Sequence, residues 1–278
     1  MRGIETEIKF RWMGLVWTIS TCSGVTIQLA RRNVSDDRSL SPAIFLPLIA
    51  VMTQATTGGL IVNYSAGISS AEAIPIIIVS YMLIGYALCL AVLYYAMYLH
   101  RLLAVGPPQQ PKIPSLVILV GPCGQFATAV QLLGTAAYTR GHFAAYNQGT
   151  FLTASAASSV STVSTILALL VDGFAFLWIT ITWYLFVEAL VKRRVSFGLT
   201  WWSLIFPMGT FAPFLCFHVT ITGKSLYVVW MIDIGRCLHD VSNKPLHRYG
   251  FPCISRTCLC SPNLSTHNLL LQFGFFCV

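Results

Sequence analysis

Long apolar runs separated by short polar segments dominate the pattern of this chain. A helix that crosses a bilayer needs about 20 mostly apolar residues, and six runs reach that length. The predicted spans are residues 12–30, 42–64, 74–99, 113–138, 161–190 and 200–222. A seventh run, residues 226–238, is short and contains Asp233 and Arg236, so we interpret it as a partial helix. The pattern predicts an all-α integral membrane protein that crosses the bilayer several times.

Proline and glycine recur inside every second span. These residues are Pro47 with Gly58 and Gly59 in the second span, Gly121, Pro122 and Gly124 in the fourth, and Pro207 with Gly209 in the sixth. Helix breaks at membrane depth are tolerated where they face protein or a water-filled cavity. Paired interrupted spans are typical of transporter substrate sites. We therefore expect an inner ring of broken helices around a path, shielded by unbroken ones.

Composition and charge support this class. The chain is 56% hydrophobic and only 9% charged, with a net charge of +8, whereas soluble domains carry about 25% charged residues. The loops after the first, third and fifth spans hold most of the basic residues, which places them in the cytoplasm by the positive-inside rule. No nucleic-acid partner and no cofactor are expected.

Both ends of the chain are expected to differ from the transport domain, residues 12–222. Residues 1–11 form a leader without a cleaved signal, and their basic residues fit poorly with an outside location, which suggests that helices are missing before them. Residues 223–240 read as a partial last helix and residues 241–278 as a disordered tail. Cys253, Cys258, Cys260 and His247 have no common zinc-site spacing, so no metal is predicted. The sequon Asn63-Tyr64-Ser65 lies too close to the membrane for glycosylation.

Three motifs resemble those of the tellurite-resistance/dicarboxylate transporter family, which includes slow anion channels and fungal sulfite efflux pumps. Residues 201–211 read Trp-Trp-Ser-Leu-Ile-Phe-Pro-Met-Gly-Thr-Phe, residues 121–125 read Gly-Pro-Cys-Gly-Gln, and residues 45–47 read Phe-Leu-Pro ahead of Gly58-Gly59. The second motif favours the sulfite pumps. The resemblance implies ten helices, arranged as helical hairpins around a central pore. The six spans would then be the fourth to the ninth of these helices, with a seventh only in part.

The candidate anion path consists of polar and helix-breaking residues in the three broken spans. It comprises Pro47, Thr56, Thr57, Gly58, Gly121, Pro122, Gly124, Gln125, Pro207, Gly209 and Thr210. The spans as drawn contain no lysine or arginine, so we expect attraction from the partly positive N-termini of half-helices, with hydrogen bonds from Thr56, Thr57, Thr210 and Gln125. Alternatively, these side chains only satisfy carbonyls freed at the kinks.

Two further residues have predicted roles. The resemblance implies that Phe206, before the proline of the sixth span, plugs the pore and moves to open it. Asp172 lies inside the fifth span, where an acid is a functional candidate by default. It is either a proton-coupling site or a neutral residue that caps a local break on an outer helix.

The favoured function is efflux of sulfite across the plasma membrane. The alternatives are a permease for C4-dicarboxylates such as malate, and a fragment of such a transporter without activity. The resemblance also implies a possible homotrimer. Neither a seven-span receptor nor a membrane enzyme is supported, because the chain has no receptor-type triplet at the end of the third span, and its six histidines form no repeated boxes.

Overall fold

Six α-helices and two 3-10 helices make up the part of the chain that the computed structural model describes, which is residues 2–31, 40–65, 67–108, 110–191 and 203. All of these residues belong to one compact unit, Met1–Met231. The α-helices are α1 (Arg2–Arg31), α2 (Leu46–Tyr64), α3 (Ser70–Val105), α4 (Gly121–Tyr138), α5 (His142–Tyr146) and α6 (Ala154–Val191). The 3-10 helices, Pro42–Phe45 and Gln110–Val120, lead directly into α2 and α4.

Five of the predicted spans are confirmed as helices that are long and apolar enough to cross a membrane. They are Lys9–Arg31, Pro42–Tyr64, Ser70–Val105, Lys112–Tyr138 and Ala154–Ala189. The sixth span, the partial seventh helix and the tail lie outside the described residues, except for Ser203. Because α1 begins at Arg2, most of the residues that we assigned to a leader continue the first span as helix. The fold is that of an all-α membrane protein.

The fourth span forms the interior of the described region, since 89% of its most apolar 18-residue segment is buried. It packs against α6 and α2 at points where one of the two contacting residues is a glycine. A Cβ atom on Gly134 of α4 would lie 2.9 Å from Ser164 on α6, and a Cβ atom on Gly59 of α2 would lie 2.8 Å from Leu132 on α4. Small residues at such crossings let helix backbones approach closely, which positions α2 and α4 side by side.

Candidate functional site

Two of the predicted breaks are junctions between a 3-10 helix and an α-helix. Pro47 and Pro122 each occupy the second position of an α-helix, α2 and α4 respectively. Gly58 and Gly59 do not interrupt the second span, because both lie in the interior of α2. The second and fourth spans therefore each have one junction, and it lies at the proline.

The backbone stays helical across both junctions. The Leu46 N–H donates to the Ala43 carbonyl, three residues back, as is usual in a 3-10 helix. Val120, the last residue of the second 3-10 helix, is directly followed by α4 in right-handed helical conformation. The free N–H groups that we expected at half-helix N-termini are therefore largely absent at α2 and α4. Fixed attraction for an anion has to come from other groups.

A tyrosine from α3 compensates for the proline in α4. Because Pro122 has no N–H, the carbonyl of Leu119, three residues earlier, lacks its 3-10 partner. The Tyr95 hydroxyl donates to this carbonyl and also lies 3.3 Å from the Cys123 sulfur. The break in α4 is thus stabilised by a side chain of a neighbouring helix.

Aromatic rings join the two junctions. Phe45, the last residue of the first 3-10 helix, is fully buried, and its ring centroid lies 4.7 Å from that of Tyr95. Tyr95 in turn stacks on Trp178 of α6, with ring centroids 5.5 Å apart. Aromatic pairs at these separations contribute about 0.5–1.5 kcal/mol beyond their buried area. The junctions of α2 and α4 are therefore packed as one unit.

The structure brings two of the predicted path residues into direct contact. The Thr56 hydroxyl on α2 lies 2.8 Å from Gln125 Oε1 on α4 and 3.1 Å from the Met52 carbonyl of its own helix. The Thr57 hydroxyl donates to the Thr53 carbonyl at 2.9 Å. A hydroxyl has one proton to donate, so the protons of both threonines are engaged within the described region. Within the described residues, the Gln125 amide nitrogen has no such acceptor.

Some of the remaining path residues are buried or half-buried in the helices, and the others lie outside the residues that the structure describes. Gly121, Pro122 and Gly124 are buried and Pro47 is half-buried. Phe206, Pro207, Gly209 and Thr210 lie outside the described residues. Ser203, from the same motif, donates to the Pro114 carbonyl at 3.1 Å. The start of this motif therefore contacts the 3-10 helix that leads into α4.

Gly58 makes room for a charged residue that was predicted to lie in the leader. Arg11 of α1 is only 4% exposed, and its Nη2 donates to Ser80 Oγ at 2.6 Å and to the Ile76 carbonyl at 3.3 Å. A Cβ atom on Gly58 would lie 2.4 Å from this nitrogen. The premise that the spans contain no arginine is therefore wrong. The signal in the sequence was helical spacing, since Arg11, Gly14, Thr18 and Cys22 share one face of α1.

Asp172 lies on the inner face of α6, at helical spacing from the buried residues Ser164, Ala168 and Ala175. It is 3% exposed, and neither carboxyl oxygen has a hydrogen-bond partner within the described region. An acid in such surroundings is costly in its ionised form unless it is paired. α6 is the helix that we expected to be an outer one, but the side chain of Asp172 faces inward, toward α4.

The sequon asparagine has a structural role. Asn63 is buried, and its Nδ2 donates to the Gly59 carbonyl at 2.7 Å and to the Leu132 carbonyl of α4 at 2.8 Å. These are the protons of the nitrogen that would carry a glycan. Glycosylation at this residue would therefore require α2 and α4 to separate locally.

No group of His, Cys, Asp and Glu residues in the described ranges could hold a metal ion. The cysteines of the tail and His247 lie outside these ranges. The polar groups described above that can donate hydrogen bonds are an amide, hydroxyls and the guanidinium group of Arg11. Such groups bind anions by hydrogen bonds and charge.

Comparison with known proteins identifies the family. The sequence profile described as "voltage-dependent anion channel" (SLAC1) matches residues 5–230. The chain belongs to the SLAC1 family of anion channels. This confirms the expected relationship, and it makes the protein a member of a transport family. No solved structure matches the chain.

The chain is also similar to curated fungal members of the SLAC1 family. It is 24% identical to the sulfite efflux pump SSU1 of Arthroderma benhamiae over 88% of this chain and 66% of the pump. The values are the same for the sulfite efflux pump of Trichophyton rubrum. The pump of Arthroderma otae is 26% identical over 73% of this chain and 52% of its own length. The chain thus spans between half and two thirds of the curated relatives that it matches.

Proposed function

We propose that this chain transports sulfite out of the cell across the plasma membrane. Its membership of an anion channel family supports anion transport, and the similarity to fungal sulfite efflux pumps supports sulfite as the anion. The observation that carries the proposal is the contact between Thr56 and Gln125 at 2.8 Å. It places a neutral amide where the two proline-broken spans meet, which can bind an anion without trapping it.

The path follows a stripe on α2 that the rest of the described region leaves at least partly uncovered. This stripe consists of residues that recur at helical spacing, namely Leu46, Ala50, Thr53, Thr57, Leu60 and Tyr64. On α4, the less buried positions are Thr128, Leu132 and Thr135. Gln125 lies in line with these positions, one turn before Thr128. The two stripes give the path hydroxyl groups at several levels.

Sulfite efflux from sulfite-sensitive cells tests this proposal. Gln125→Leu removes the amide, and we expect it to lower efflux about tenfold, because an anion loses a hydrogen bond that is worth about 1.5 kcal/mol. Gln131→Leu is the matched control, since Gln131 is a second buried amide on α4. Surface expression is measured for each variant. Equal effects of the two substitutions would remove Gln125 from the path.

The same cells distinguish sulfite from C4-dicarboxylates. We expect labelled malate to remain inside cells that export sulfite. Export of malate with retention of sulfite would instead assign the chain to the dicarboxylate permeases. Surface biotinylation and particle mass in nanodiscs test the proposed plasma-membrane location and homotrimer.

We keep the proposal that Phe206 gates the pore. Removal of a plug increases flux, so Phe206→Ala is expected to raise sulfite efflux several-fold. Phe211→Ala, in the same motif, provides the control for loss of an aromatic ring. Unchanged efflux in Phe206→Ala would contradict the gate.

We also propose that Asp172 couples proton movement to sulfite efflux. The carboxyl group is buried without a partner in the described region, which is an arrangement suited to taking up and releasing a proton. Asp172→Asn cannot do so, and its efflux should respond less than that of the wild type to an imposed pH gradient. The response that remains in Asp172→Asn measures the protonation of sulfite itself. The same response in both proteins would show that Asp172 is not the coupling site.

A further inference from the structure

Arg11 lies at the meeting point of three helices, in the first turn of the span Lys9–Arg31. Its guanidinium group contacts Ser80 and Ile76 of α3 and the backbone of α2 at Gly58. Gly58 is six residues from the end of α2, about 9 Å along the axis, and Ser80 is ten residues from the start of α3, about 15 Å. At this level of the bundle the guanidinium group is enclosed by protein, since Arg11 is only 4% exposed.

Among the side chains that the structure describes, none neutralises the charge of Arg11. Guanidinium has five N–H donors, and the two on Nη2 are taken by a hydroxyl and a carbonyl, both neutral. Nε and Nη1 are buried and have no hydrogen-bond partner. The Trp12 ring, with its centroid 5.7 Å away, adds a weaker attraction. Among the described side chains, no carboxylate is bonded to this group.

The surroundings are built to hold the cation in place. Ser80 is fully buried, and its hydroxyl donates to the Ile76 carbonyl at 2.7 Å while it accepts from Arg11. Any side chain at position 58 would collide with both Ser80 Oγ, at 2.3 Å, and Arg11 Nη2, at 2.4 Å. Burial of an unpaired charge in protein costs several kcal/mol. An anion bound at Nε and Nη1 would offset that cost.

We propose that Arg11 forms an anion-binding site at the junction of α1, α2 and α3. The ligand class is a small inorganic anion, such as bisulfite, chloride or nitrate, that accepts hydrogen bonds from Nε–H and Nη1–H. The site lies on the side of α2 opposite the contact between Thr56 and Gln125, because residues 56 and 58 point about 200° apart on a helix. It supplies the fixed positive charge that the continuous helix junctions do not. This inference rests on the proposed anion transport for the identity of its ligand.

Thermal unfolding of the full chain in nanodiscs tests the site without measuring transport. Replacement of gluconate by sulfite, chloride or nitrate at constant ionic strength is expected to raise the wild-type Tm by about 3–5 °C at a tenfold excess over Kd. Arg11→Gln should abolish this shift, and Arg11→Lys, which keeps the charge but loses donors, should retain part of it. A shift of equal size in the wild type and Arg11→Gln would overturn the site.

Two controls separate a binding site from a structural clamp. Arg101→Gln removes a second buried arginine, which donates to the Gly106 carbonyl at 3.4 Å, and it should lower the Tm but keep the anion-dependent shift. Glu7, one helical turn before Arg11 in the sequence, is the nearest acid in α1, and Glu7→Gln should also keep the shift. If Arg11→Gln lowered the Tm but left the shift intact, Arg11 would be only a clamp.

Failure of this site and failure of the proposed function give different results. An absent Tm shift in a wild type that exports sulfite would overturn the site and leave sulfite transport in place. A shift that depends on Arg11 in a protein that exports no sulfite would support the site and contradict the proposed function. In that case, the anion with the largest shift would indicate the substrate to test.

Discussion

The spans that contain α4 and α1 are both long enough to cross a membrane, yet 89% of the most apolar 18-residue segment is buried in the fourth span and only 6% in the first. α4 is held by backbone proximity, through Gly134 and through Gly59 of α2. α1 is held by polar side chains, which are Arg11 and the hydroxyls of Ser23 and Thr26. The difference shows that close backbone approach and interhelical hydrogen bonds both contribute to the association of helices in lipid. Close approach is most pronounced at the interior helix α4, and the polar contacts of α1 lie at the periphery.

The largest loss of stability is expected from a substitution at Gly134, where the interior has no space for a side chain. Gly134→Leu would force a side chain to within 2.9 Å of Ser164 and 3.3 Å of the Ser161 backbone. Overpacking costs about 1–3 kcal/mol and occasionally more, and we expect the upper end of this range or beyond it here because backbone is in the way. The measurement is the yield and Tm of monodisperse protein. Gly85→Leu is the control, since a Cβ atom there meets nothing within 4 Å; equal losses would refute close packing as the reason.

The next effect concerns the proline of α4. Tyr95→Phe leaves the Leu119 carbonyl without its partner, and a buried unsatisfied carbonyl costs about 1–3 kcal/mol. Pro122→Ala supplies an N–H for this carbonyl, so the double variant should recover most of the lost Tm. A double-mutant cycle of the four proteins measures this coupling. Purely additive losses would show that Tyr95 does not compensate for the proline.

A smaller effect is expected at the contact between α2 and α4. Asn63→Ala removes two hydrogen bonds and should cost about 1 kcal/mol, because both acceptors lie within helices and keep other partners. Ser65→Ala destroys the sequon but leaves Asn63 in place. We expect no glycan on the wild type and hence no loss of glycan mass in Ser65→Ala. A glycosidase-sensitive wild type would contradict this structural role.

The smallest effect tests the hydrogen bonds of α1. Thr26→Val removes the 3.0 Å contact with the Tyr94 hydroxyl, and hydrogen bonds between membrane helices average about 0.6 kcal/mol. Thr21→Val is matched to it, because the Thr21 hydroxyl donates only to the Trp17 carbonyl of its own helix at 2.8 Å. If the two variants have the same Tm, α1 is not held through the Thr26 hydroxyl.

The sequence predicted the five described spans because the length of an apolar run is a property of the run itself. The position of the breaks was predicted only in part. Proline limits the backbone wherever it occurs, so Pro47 and Pro122 marked the junctions correctly. Glycine allows both a break and a close approach of neighbours, and the structure shows the second at Gly58 and Gly59.

The partners of polar side chains could not be predicted, because they come from helices that are distant in the sequence. Arg11 and Ser80 are 69 residues apart, as are Thr56 and Gln125. Arg11 was placed in a leader because it precedes the apolar run by one residue. The sequence shows that Arg11 shares a helical face with Gly14 and Cys22. It does not show that Gly58, which has no side chain, leaves the space that the guanidinium group of Arg11 occupies.

The lengths of α3 and α6 have a consequence for the membrane around the protein. They contain 36 and 38 residues, which at 1.5 Å per residue gives about 54 and 57 Å. The hydrocarbon core is about 30 Å thick, and long helices adapt to it by tilting or by extending into the headgroup layers. A change in lipid chain length therefore alters mainly how much of these two helices stands in water. We expect the internal contacts of the domain to be preserved in thin and thick bilayers alike.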